Sequence, residues 1–344
     1  MEDLAQAAES WLSDFSPRRF LRNGHLQTLA GNFLPREWSI PEPEELLVEV
    51  EGPRSVYGPS QVLCHCHWQP PEVRSQRLTI VLVHGLEGSS NSQYVLGNTA
   101  RALASGLNVV RMNMRTCGGT DHLSPTIYHS GRSGDVGRVI ERIAEEYGLE
   151  SIALIGYSMG GNLVLKYAGE LGDAAPPQLK AVVGVSPLMD LAVSSAALHE
   201  PLNRAYEWHF LKSMLARIHR RMAMYPEIYG SAEVEKIKTM RLFDEHVVAR
   251  YGGFADADDY YYSVASSQFA DAFRVPILIL YSLDDPFIRM LPETREALIA
   301  NPHVTYIETQ HGGHCAFLAP SNGYDGYWAE KTLLSYLLEQ VDGS

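Results

Sequence analysis

A chain of 344 residues, 45% hydrophobic and 20% charged, can bury a large core with an inserted subdomain. Its formal net charge of −13 argues against a nucleic-acid binder, because an acidic surface repels phosphate backbones unless its charges are strongly segregated. No apolar run approaches the ~20 residues that cross a bilayer. The opening MEDLAQAAESWLSDF lacks the basic start and apolar stretch of a secretory signal, and four cysteines suit a reducing compartment. The sequence therefore predicts a cytoplasmic protein without stable membrane insertion.

In chain order, a short amphipathic opening precedes Phe20 to Leu29, a polar and apolar mixture that taken alone is uninformative. Leu46–Val50 and Gln61–Leu63 read as two strands of a hairpin around the Gly/Pro-rich bend at 52–60. The run Cys64-His65-Cys66-His67 contains metal-ligating residue types, but strand alternation sends both cysteines to one face and both histidines to the other. A buried strand is the better reading. After Pro70-Pro71 apolar runs alternate with helical patterns. Strands are expected at Leu78–Val83, Val109–Met114, Ile152–Ile155, Ala181–Val185, Pro276–Tyr281 and Val304–Ile307. Helices are expected at Ser92–Ala104, Asp135–Tyr147, Pro292–Ala300 and Tyr327–Glu339. This alternation predicts a doubly wound, mostly parallel α/β sheet, with ligands at the carboxyl ends of its strands.

Pro187–Phe273 breaks the pattern: it is long, Met- and Tyr-rich and mainly helical, so it should pack over the sheet and supply part of a pocket wall. Candidates for that wall include Tyr206, Trp208, Phe210, Met214, Leu215, Ile218, Met222 and Met224. Asp256, Asp258 and Asp259 lack the Gly and distal Glu of a calcium loop and read as solvated. The expected organisation is an N-terminal extension with antiparallel strands (1–75), a first core part (76–186), a helical cap insertion (187–273) and a second core part (274–344).

The chemistry centres on Gly156-Tyr157-Ser158-Met159-Gly160, which follows a short β-branched run and leads into helical spacing from Leu163. Strand, sharp turn and helix with a serine at the apex is the context a nucleophile elbow requires. Gly156 and Gly160 are expected to supply room and unusual backbone angles. A serine hydroxyl needs a base, and the base needs an orienting carboxylate, in the order Ser, acid, His. Asp284 and Asp285 follow the Tyr281 strand; Asp285 is preferred because Pro286 fixes the turn behind it, and Asp284 stays open. In His311-Gly312-Gly313-His314, His314 is the better base and His311 is read as structural. The amides of Met159 and of Leu86, in the loop after Val83, are the candidate oxyanion donors, while His84 braces that loop.

These residues make the chain resemble the α/β-hydrolase superfamily, and within it the YheT-like family, over about residues 15 to 340. The resemblance rests on Asn23-Gly24-His25-Leu26-Gln27-Thr28, His84-Gly85-Leu86-Glu87-Gly88-Ser89, Arg115-Thr116-Cys117-Gly118-Gly119, the elbow extended by Gly161-Asn162, and His311 to His314. Thr116 stands where the family usually has Gly. The resemblance implies Ser158 as nucleophile, Asp285 as orienting acid and His314 as base, acting on short- to medium-chain esters without a cofactor. Transfer of the acyl group to an alcohol is the alternative activity. A non-catalytic ligand-binding protein on the same fold is the rival of another class, disfavoured because all three residues are present.

Overall fold

The structure is a computed structural model and describes residues 15–342; the amphipathic opening lies outside them. The first described helix, α1 (Gly24–Phe33), occupies the stretch that the sequence left without a reading. Asn23 starts it, its side chain accepting the Leu26 amide at 3.2 Å. Strands β1 (Glu44–Glu51) and β2 (Ser60–His67) then form the expected antiparallel pair, with Leu46 opposite Cys64. Alternation along β2 puts Cys64 and Cys66 in the core while His65 reaches Ser90 at 2.8 Å.

The alternating part follows as β3 (Thr79–Val83), α2 (Gln93–Ala104), β4 (Asn108–Met112), α3 (Ser133–Tyr147), β5 (Ile152–Tyr157), α4 (Met159–Leu171) and β6 (Leu179–Val185). A helical segment comes next and includes α5 (Leu191–Leu198), α6 (Arg204–Met224) and α7 (Ala257–Val264). Then β7 (Ile277–Ser282), α8 (Pro292–Ala300), β8 (Val304–Thr309) and α9 (Trp328–Asp342) complete the chain. All eight strands join one sheet in the order β1-β2-β4-β3-β5-β6-β7-β8; β2 pairs antiparallel with β4, and from β4 to β8 neighbours are parallel.

Helices on both faces bury β3, β4, β5 and β7 completely, which is why most of these strands read as apolar runs, while the edge strand β8 stays half-buried. Val81, Val83, Ile152 and Leu154 face one core with Val139 and Ile143 of α3 and Val164 of α4. Ile80, Leu82, Ala153 and Ile155 face the other with Val95 of α2 and Leu333 and Leu337 of α9. The helical segment builds a third cluster of its own, including Met214, Ile218, Phe243 and Tyr260, which also takes in Phe287 and Ile288 after β7. Asp256 caps α7 through the Asp259 amide and Asp258 pairs with Arg241 at 2.8 Å, so these carboxylates have local partners on an exposed face.

One buried ion cluster ties the antiparallel edge to the parallel sheet. The Arg115 guanidinium, just past β4, donates to both Asp135 oxygens at 2.6 and 2.5 Å, to Thr126 at 2.6 Å, and pairs with Glu51 of β1 at 2.8 Å. Its neighbour Thr116 has φ 61°, a region that β-branched residues avoid and glycine enters freely. That explains the glycine expected there. We predict that Asp135→Ala, which leaves a buried guanidinium without its main counter-ion, lowers unfolding free energy by about 3–5 kcal/mol in urea titration.

Candidate active site

The turn between β5 and α4 places Ser158 at φ 55° and ψ −116°, a strained combination for a residue with a side chain. Its amide donates to the Val185 carbonyl at the end of β6, and its carbonyl accepts the amides of Asn162 and Leu188. A Cβ on Gly156 would sit 2.2 Å from the Gly160 carbonyl oxygen, and one on Gly160 would sit 2.4 Å from those of Val83 and His84. Both glycines thus supply room. The unusual backbone angle falls on Ser158 itself, since neither glycine has a positive φ. Helix α4 begins at Met159, earlier than Leu163, because Gly160 and Gly161 carry no side chains to display the period.

The loops after β7 and β8 meet beside this turn and sort the two acids and two histidines into separate pairs. His314 Nδ1 lies 2.8 Å from Asp285 Oδ2, and the other Asp285 oxygen accepts the Phe287 and Ile288 amides at 3.1 and 2.9 Å. His311 instead pairs with Asp284 at 3.2 Å, whose Oδ1 also takes the Gly313 amide and the Ser282 hydroxyl. Asp284 therefore holds the loop and Asp285 holds the His314 imidazole. The Phe287 ring packs 4.5 Å from the imidazole, centroid to centroid, and His314 Nε2 lies 3.6 Å from Cys315 Sγ. Burial works to lower the His314 pKa, whereas the Cys315 sulfur and the Asp285 carboxylate raise it; the balance stands well above the ordinary imidazole value.

Helix α1 is the support that sequence reasoning missed. Thr28 Oγ1 accepts the His314 amide at 2.8 Å, and Gln27 bonds both the amide and the carbonyl of Leu318. The backbones touch: a Cβ on Gly24 would fall 1.8 Å from the Asp284 carbonyl oxygen, and one on Gly313 2.4 Å from that of Gly24. Sequence offered the Asn-Gly at a helix start, which marks a cap, and the Asn23 to Thr28 stretch that carries part of the family resemblance, but neither says what the helix touches.

The loop after β3 carries Leu86. His84 is buried, its Nδ1 2.8 Å from the Gly85 carbonyl and its Nε2 accepting the Met114 amide at 3.1 Å, so it braces the loop; burial pulls its pKa down to about 4 and keeps it neutral. Gly85 and Glu87 donate their amides to the Tyr94 and Tyr128 hydroxyls, fixing the residues on either side of Leu86. The Glu87 carboxylate accepts from Tyr128 at 2.7 Å and pairs with Arg217 of α6 at 3.0 Å, and Arg217 also bonds the Thr116 carbonyl. Sequence carried one signal for Arg217: it shares a buried helical face with Met214, Ile218 and Arg221.

Two hollows meet at Ser158. A largely apolar cavity lies under the helical segment, walled by Leu191, Met214, Phe243, Val248 and Ile288 among others, with Leu86 and Met159 at its Ser158 end. Among its polar lining residues is Asp244, which accepts the Tyr261 hydroxyl at 2.7 Å and whose pKa burial pushes up to about 7. An open cleft of about 2340 Å³ holds Ser158 and His314 and is lined by His25, Tyr206, Trp208 and Phe210 among others. Of the expected wall residues, Phe210 borders both hollows, Met214 the cavity, and Tyr206 and Trp208 the cleft; Leu215, Ile218, Met222 and Met224 border neither. Among the described residues no group of His, Cys, Asp or Glu is arranged to hold a metal ion.

The sheet order, the elbow and the position of the helical segment define an α/β-hydrolase-fold protein. A model of the alpha/beta hydrolase fold family matches residues 79–228. The chain is similar to YheT of Escherichia coli, provisionally named an esterase, at 29% identity over 96% of this chain and 94% of that protein. It is also similar to human phospholipase ABHD3, at 28% identity over 75% of this chain and 61% of that one. The solved Pyrococcus furiosus esterase Pf2001 shares the fold with a TM-score of 0.52 at 14% identity, covering 89% of this chain and 96% of that one. Among the described residues no helix is long and apolar enough to cross a membrane.

The contact between α1 and the acid loop has a measurable consequence. Gly24→Ala is expected to lower unfolding free energy by about 1–3 kcal/mol in urea titration, because the new methyl group must displace backbone instead of a flexible side chain.

Proposed function

We propose that this protein is a serine carboxylester hydrolase acting on short- to medium-chain acyl esters or acylglycerol-like molecules, without a cofactor and from the cytoplasm. The observation that carries the reading is the 2.8 Å pairing of His314 with a buried Asp285, beside a cleft that also contains a serine on a strained strand-to-helix turn. Relatives with esterase and phospholipase names support the hydrolase class.

In this mechanism His314 takes the proton of Ser158 as the hydroxyl attacks the ester carbonyl, and Asp285 keeps the imidazole in the tautomer with Nε2 free for that proton. The amides of Met159, first residue of α4, and Leu86 donate to the oxygen that becomes negative. His314 then returns the proton to the departing alcohol, and water releases the acyl group by the same steps. The acyl chain occupies the apolar cavity and the alcohol part the open cleft, with residues 187–273 acting as a cap between core parts 76–186 and 274–344 and residues 1–75 packing against the core. Asp284 and His311 stay outside the proton path, because their partners are each other, the Ser282 hydroxyl and the loop backbone.

Hydrolysis of p-nitrophenyl esters of increasing acyl length tests the assignment. Ser158→Ala should lose at least about 10⁴-fold in kcat with an unchanged circular dichroism spectrum, and should escape a fluorophosphonate label that the native protein takes up on Ser158. Undiminished cleavage by this variant overturns the reading. The base must be neutral to work, so kcat/KM should rise with pH through the raised His314 pKa, giving an acid limb centred above the usual ~6.5 of histidine. In Asp285→Asn the residual activity should show that limb displaced to lower pH, since the carboxylate that favours the imidazolium is gone.

A further inference from the structure

The cleft that holds Ser158 and His314 is bordered by two segments whose outer faces differ from the rest of the surface. Leu29 and Phe33 of α1, Leu202 just before α6 and Trp208 near its start line this cleft and are 43%, 75%, 81% and 64% exposed. Leu26, 50% exposed, lies one turn before Leu29 and extends the α1 stripe by helical spacing. His25 and Tyr206 join the two segments, their rings stacked 5.7 Å apart and Nδ1 within 3.3 Å of the hydroxyl. Leaving such side chains in water forgoes hydrophobic stabilisation, and their convergence on one opening marks a contact surface.

Charge selects the partner. Residues 15–36 contain four arginines and no carboxylate, and residues 202–222 contain five Lys or Arg and only Glu207, a net of +8 in a chain that totals −13. Some of these cations are committed inward, Arg36 to Glu330 and Arg217 to Glu87, which also neutralises the two carboxylates lining the cleft. Arg19, Arg22, Arg204 and Lys212 are exposed, and among the described residues none forms an ion pair. Lys212 lies 5.2 Å from the Trp208 ring and Arg19 4.9 Å from that of exposed Phe20, so cation and apolar group are side by side. Glu37 and Glu200 are exposed carboxylates that flank these segments in sequence, and Glu200 faces Arg289 at 3.8 Å. Such segregation removes the objection that an acidic chain is repelled by an anionic surface.

We infer that the rim formed by Leu26, Leu29, Phe33, Leu202 and Trp208 docks on a lipid surface bearing anionic headgroups, with Arg19, Arg22, Arg204 and Lys212 on the phosphates. The apolar side chains enter the outer acyl region to the depth of one helix face, and the cleft opens onto the lipid. This rests on the hydrolase reading only for why the surface surrounds the cleft; vesicle binding is measured without turnover, so the two can fail separately.

The test is co-sedimentation of the full chain with large unilamellar vesicles of phosphatidylcholine, with or without about one third phosphatidylglycerol. Native protein should sediment with the mixed vesicles, less so at 0.5 M salt, and much less with phosphatidylcholine alone. Arg204→Glu with Lys212→Glu should weaken that binding at least tenfold while hydrolysis of a soluble short-chain ester is unchanged. Phe33→Glu with Trp208→Glu should abolish binding, with folding checked by circular dichroism; if this pair does not fold, the charge variant decides. Native protein that ignores phosphatidylglycerol vesicles, or charge variants that bind as well as native, overturn the inference. So does a dimer in analytical ultracentrifugation that Trp208→Glu dissociates while native vesicle binding is absent, since the rim then belongs to a second copy.

Discussion

Ser158 has a backbone conformation that costs of the order of 1–3 kcal/mol, and that cost is sustained only by a rigid surround. The Val185 carbonyl, the Leu188 amide and the first turn of α4 grip both peptide groups of the residue. They belong to β6, to the start of the helical segment and to the helix that packs on β5, so the turn is held from three sides. Everything else at the site is placed relative to it: the loops carrying Asp285 and His314 leave β7 and β8 at the same sheet edge, and the loop with Leu86 leaves β3, the strand beside β5. A parallel sheet makes this possible by delivering the carboxyl ends of separate strands to one edge.

The sheet does not finish the site alone. The loop after β3 depends on Arg217, which belongs to the helical segment, and the loop after β8 depends on Thr28, which belongs to α1. Both supports are polar groups buried or half-buried between elements, so an unpaired partner is expensive and each contact has few alternatives. The apolar cavity has the opposite character. It is bordered mostly by aliphatic and aromatic side chains that the third cluster shares, and such walls tolerate changes of similar volume far better than polar clamps do.

Much of this was legible in the sequence. The elbow stood out because a four-residue apolar run, two glycines and a serine leave few other readings, and the alternation of runs gave the parallel sheet. The preference for Asp285 over Asp284 rested on Pro286 and matches the pairing with His314, but nothing in one dimension separates adjacent carboxylates; the hydrogen bonds to Phe287, Ile288 and Gly313 do. The role of α1 was hidden because its contacts are a hydroxyl to an amide 286 positions away and one backbone against another, and neither imposes a hydrophobic period. Thr116 was visible as an oddity whose reason, a positive φ, only coordinates supply.

The approach of Gly24 to Asp284 makes the N-terminal helix part of the framework that holds the loops after β7 and β8. Residues 79–228 match the fold family, yet they contain neither Asp285 nor His314, and they exclude the helix on which the loops of both are seated. A fragment trimmed to the sheet and its helices would keep Ser158 and lose the geometry that makes it distinctive. Exchange of parts between relatives faces the same restriction. An N-terminal helix and a C-terminal loop that meet backbone to backbone constrain each other, so a replacement for either has to leave room for the other.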